Sequence, residues 1–142
     1  MFNDFVSGEI EHVIHSAWKE ENPEVIVLEG QGSLLNPAYP GGFELIAAGR
    51  PDYIVLQHAP RRKDYDGFPG YPIHELNRQI DALEIISGKK VIAITVNHEG
   101  MGREEISTEC IKITDETGLP AFDVLEYGAE GIMELILAKT GK

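Results

Sequence analysis

A chain of 142 residues with 42% hydrophobic residues, 15 Gly and 8 Pro suits one domain around a single core and leaves little room for two. Its 24 Asp and Glu stand against 12 Lys and Arg, a formal charge of -12, and this field excludes phosphate backbone and anionic lipid as the main attraction. The apolar runs are too short to span a membrane, and a single cysteine, Cys110, with no CxxC or zinc-spaced Cys/His cluster, fits a reducing cytoplasm without structural zinc.

Helical spacing of Phe5, Ile10, Val13, Ile14, Ala17 and Trp18 predicts an amphipathic helix from Asp4 to about Glu20, with Asp4 as its cap. Asn22-Pro23 ends it, and Val25-Ile26-Val27-Leu28 follows as a short β-branched run that reads as a buried parallel strand. Gly42 to Gly49 reads as a short helix and Tyr53-Ile54-Val55-Leu56 as a second buried strand. After a long irregular segment from Gln57 to Pro72, Leu76, Ile80 and Leu83 mark a helix closed by Gly88, and Val91 to Val96 is the clearest strand. A helix over Arg103 to Thr117, a brief fourth strand over Ala121 to Val124 and a helix over Ala129 to Lys139 complete an α/β pattern with a mostly parallel sheet flanked by helices.

Open parallel sheets bind ligands outside the carboxyl ends of their strands, so the residues there are the candidates. Glu29-Gly30-Gln31-Gly32-Ser33 leaves the first expected strand. A carboxylate there can reach a metal ion, and glycines admit close backbone approach; equally, the glycines can make a plain turn with Glu29 solvated. His58-Ala59-Pro60-Arg61-Arg62-Lys63 gathers three of the 12 cations, and the forked donors of Arg61 and Arg62 suit an anionic ligand; they suit pairing with Asp64, Asp66 or an acidic helix as well. Asn97-His98-Glu99-Gly100 follows the clearest strand, where Asn97 can read a base edge or merely cap a turn. His58 and His98 are candidate catalytic bases by position. Cys110, without an evident histidine partner, reads as packed. No G-x-x-x-x-G-K-[ST] loop occurs, since Ser87-Gly88-Lys89-Lys90 has the wrong spacing and precedes a strand, and Gly30-Gln31-Gly32 lacks the third glycine of a dinucleotide fingerprint.

The blocks Val25 to Pro40, Asp52 to Pro60, Gly67 to Pro72 and Ile94 to Asn97, with Asp4-Phe5-Val6-Ser7-Gly8, closely resemble the C-terminal domain of the domain-of-unknown-function family 1611, whose members include proteins described as D-glutamate N-acetyltransferase. The resemblance implies a P-loop nucleoside-triphosphatase-like fold, normally preceded by a Rossmann-like N-terminal domain. It implies Glu29 as a ligand near Mg2+ and Asn97 as a residue that reads a base, while Gly30, Gly32, Ser33, Arg61 and Arg62 are ligand-binding candidates from their own chemistry and place in the chain. ATP or acetyl-CoA is the implied cofactor. This sequence departs from the family in having no phosphate loop before Asp4, so it looks like one domain, residues 1–142, that forms the C-terminal part of a larger P-loop-type domain, without the phosphate-loop strand. The activity expected is acyl transfer to an amino acid, incomplete in the chain alone; the alternative is a non-catalytic, oligomerising ligand-binding domain. A missing interior strand would leave edges for a second copy to cover, hence an expected homo-oligomer.

Overall fold

The computed structural model of the chain describes residues 3–30, 33–38 and 41–141. The first amphipathic stretch forms α1 (Asn3–Glu21), with Asp4 inside its first turn instead of at the cap. The second helix, α2 (Gly41–Gly49), packs on α1. Between them Leu28 is pinned: a methyl group added at Gly49 would collide with its side chain and approach Ile14.

Sheet formation begins later than expected. Val25 to Leu28 is not a strand, and Val27 is 81% exposed. A strand needs a neighbour for its N–H and C=O groups; none of the described strands pairs with this run, so β-branched composition alone does not make it one. The sheet has three parallel strands instead of the four expected, β1 (Ile54–His58), β2 (Val91–Val96) and β3 (Ala121–Phe122), in that order. Two boundaries also move. β1 runs on to His58 because Val96 supplies a partner there, and β3 stops at Phe122 because Asp123 turns the chain into an unforeseen short helix, α5 (Val124–Tyr127).

The crossovers between the parallel strands run through α3 (Leu76–Ser87) and α4 (Arg103–Thr117). Gly88 and Gly118 end them in the left-handed conformation, as the glycine positions predict, and each returns its N–H to the helix, to Glu84 O at 2.9 Å and Thr114 O at 2.8 Å. The core joins Leu76 and Ile80 of α3, Val91, Ile94 and Val96 of β2, and Ile113 of α4, with Ile94 fully buried. The last helix, α6 (Glu130–Thr140), lies against the ring of Phe122 through Gly131, and its Lys139 carbonyl accepts the Tyr53 hydroxyl at 2.8 Å. No described helix is long and apolar enough to cross a membrane.

Candidate functional site

Parallel register determines which side chains meet at the carboxyl edge of the sheet. His58 ends β1 opposite Val96, and one residue later the Asn97 N–H donates to His58 O at 2.7 Å, so the two strands leave the sheet side by side. On the other side Thr95 pairs with Phe122, which brings Asp123 alongside the residues that follow β2. His58, Asn97, His98 and Asp123 therefore stand at one edge because the ladder holds them there.

The segment after β1 is long but ordered. Asp64 and Pro72 form an antiparallel bridge, and Ile73 N donates to Lys63 O at 2.9 Å. Tyr65, buried, gives its hydroxyl a partner in His74 Nδ1 at 2.9 Å, and buried Gln79 donates to His74 O at 2.7 Å. The loop is thus closed on itself by polar side chains that the fold has taken out of water, and hydrogen bonding is what makes their burial tolerable.

Arg61 and Arg62 project from this loop into carboxylates. Arg61 meets Glu105 Oε1 at 2.5 Å and Arg62 meets Glu99 Oε2 at 2.7 Å, all four side chains being largely exposed. Glu105 also accepts the Gly102 N–H on Oε2 at 2.8 Å, tying the loop to the start of α4. An anionic ligand at these guanidinium groups has to compete with those two carboxylates, whose attraction in water is weak, about 0–1 kcal/mol a pair. Asn97 spends its Oδ1 on the Glu99 N–H at 3.0 Å, which turns the loop and leaves its amide N–H groups as the donors available to a ligand.

Of the residues around the expected first strand end, Gly30 sits beside α2. Glu29 is exposed, and Gly30 sits where an added methyl group would meet Leu45 of α2 at 2.8 Å. Ser33 accepts the Leu35 N–H on Oγ at 3.3 Å, and Gly32 lies outside the described residues. Among the described residues no three His, Cys, Asp or Glu side chains form a metal-holding group. Glu29 is thus a single carboxylate donor, which suffices for Mg2+ only if phosphates and waters complete the shell. Glu44, in the first turn of α2, is buried with no hydrogen-bond partner for Oε2.

The two histidines differ in environment. His58 is pushed below the ordinary histidine value chiefly by burial, with Glu116 and Glu109 acting against the shift. His98 keeps about a third of its side chain open, at 31%, and its Nδ1 lies 2.5 Å from Oδ2 of Asp123. Position after a strand is enough to select His98 from the sequence, but not its partner, 25 residues away. The available signal for Asp123 is an acidic cap: Asp123 followed three residues later by Glu126 marks a helix start, which a four-residue helix hides.

Residues 1–133 match the model of the DUF1611 C-terminal P-loop domain, a domain of unknown function. The chain belongs to this family. It is similar to a D-glutamate N-acetyltransferase of Tritonibacter scottomollicae, 29% identical over 141 residues, which are 95% of this chain and 41% of that protein. It is also similar to a D-glutamate N-acetyltransferase of a Pseudoalteromonas species, 29% identical over 137 residues, 92% of this chain and 40% of the other. The crystal structure of a DUF1611 family protein from Anabaena variabilis superposes with a TM-score of 0.89 at 26% identity, covering 97% of this chain and 42% of that one. The DUF1611 domain therefore spans about two-fifths of the length of these relatives.

Proposed function

We propose that this DUF1611 domain binds the donor and accepts the proton in an N-acyl transfer to an amino acid, with acetyl-CoA or a magnesium-bound nucleotide as ligand. The observation that carries the reading is the convergence of His58, Asn97, His98 and Asp123 on the carboxyl edge of a parallel sheet, where such sheets take their ligands. The names of the two curated relatives supply the reaction class and D-glutamate as the model acceptor. In this reading Arg61, Arg62 and the Asn97 amide hold the anionic donor, Gly30, Gly32 and Ser33 let backbone approach it, and Glu29 orients Mg2+ when a phosphate-bearing ligand brings it. His98 is the better base. Its ring is partly open and faces a carboxylate, whereas partial burial makes His58 a weaker base. The test is calorimetric titration of MgATP and of acetyl-CoA into this chain and into the protein as its gene encodes it. Binding of either is expected at least in the latter; binding of neither contradicts the reading.

A second reading, an oligomerising domain without catalysis, draws on the exposed run Val25, Ile26 and Val27 and on the outer edge of β1, which no described strand covers. Light scattering of this chain separates the readings: a second copy on that surface gives a dimer that Val27→Lys dissociates.

A further inference from the structure

Asp123 is 1% exposed, and its carboxylate is satisfied on both oxygens. Oδ1 accepts the N–H groups of Leu125 at 3.1 Å and Glu126 at 3.0 Å, capping α5, while Oδ2 faces His98 Nδ1. A buried carboxylate accepts hydrogen bonds and donates none when ionised, so the proton between Asp123 and His98 sits on the ring nitrogen. That proton on Nδ1 makes Nε2 the basic nitrogen, because a neutral imidazole has one of each. The cap does more than stabilise α5: two backbone N–H groups fix the plane of the carboxylate, and the carboxylate then fixes the ring.

We infer that Asp123 is a positioning residue that holds His98 in the Nδ1–H tautomer, so that Nε2 takes the proton released by an attacking amine. The inference rests on the acyl-transfer reading above. The amine nitrogen forms a bond to the carbonyl carbon of an acyl thioester and the carbon–sulfur bond breaks. The ammonium proton passes to Nε2 and from there to the departing thiolate, so that amide and thiol are the products and His98 is restored. Asp123 touches neither reactant. Burial and the Asp123 charge hold the neighbouring Cys110 thiol above its ordinary value.

Asp123→Asn preserves shape and an oxygen for the α5 cap, but puts an amide donor against Nδ1 and selects the opposite tautomer. Nitrogen-15 long-range spectra of this chain are expected to show His98 as Nδ1–H in the wild type and Nε2–H in Asp123→Asn. In the protein as its gene encodes it, the same variant is expected to lose about 10²- to 10⁴-fold in kcat for acetyl transfer with the donor KM within about twofold. A wild-type Nε2–H tautomer, which needs no variant to fold, or a variant with unchanged kcat, overturns the positioning role. A wild type that shows the Nδ1–H tautomer but transfers no acetyl group instead overturns the acyl-transfer reading, and the base role of Nε2 with it.

Discussion

The two apolar β-branched runs Val25 to Leu28 and Val91 to Val96 look alike in sequence and end differently. Val91 to Val96 has a strand on each side, and all but one of its residues are buried. Val25 to Leu28 has no described strand beside it; Val25, Ile26 and Val27 are exposed, and Leu28 alone is tucked against α1 and α2. Every buried apolar side chain among the described residues lies from Tyr65 onward, while the first fifty contribute buried Asn36 and Glu44. Hydrophobicity thus proposes a strand, and a neighbour with free backbone groups decides whether there is one.

This contrast breaks most visibly under truncation. Ile94→Ala removes a fully buried side chain between both neighbouring strands and is expected to cost about 2–5 kcal/mol. Val27→Ala is expected to stay within about 0.5 kcal/mol. Urea unfolding of both variants measures the gap, and equal losses would mean that the run at Val27 is buried in solution.

Acid sharpens the comparison next, because the sheet half contains the half-buried His58. Its folded-state value lies below 6.5, so the unfolded chain binds the proton more readily, and stability falls as pH drops from 6.5 through the folded value. His58→Gln should flatten that part of the stability profile, as followed by urea midpoints between pH 7 and 5. A profile as steep as that of the wild type would assign the acid sensitivity elsewhere.

Smaller still is the expected effect of Arg62→Ala on stability, within about 1 kcal/mol, since its pair with Glu99 is exposed. The same variant should weaken acetyl-CoA binding, and calorimetry beside unfolding separates the two effects. The smallest expected difference is a slower reaction of Cys110 with a thiol reagent than that of an unhindered cysteine, because its raised value keeps it protonated.

The helices and the two long strands were legible because their periodicity and glycine ends are local properties: Gly88 and Gly118 close α3 and α4 where the pattern says. Partnership was not legible. Nothing near Val25 in the sequence tells whether a strand will lie beside it, and nothing near His98 names Asp123. Arg61 and Arg62 show the intermediate case. Their cluster, and an acidic helix as one possible partner, can be read from the chain, but the crossover has to be built before Glu105 of α4 and Glu99 after β2 arrive. The candidate residues at the strand ends follow from strand placement, whereas the group around Glu29 depended on a strand that the described structure does not contain.

The central claim is that the ligand site lies at the carboxyl edge of the β1–β2–β3 sheet. Hydrogen exchange of the protein as its gene encodes it, with and without saturating acetyl-CoA, tests this most directly. Protection concentrated in the segments 58–62, 97–99 and 121–127 is the predicted result. Protection confined to α1 and α2, with those three segments unchanged, would contradict it.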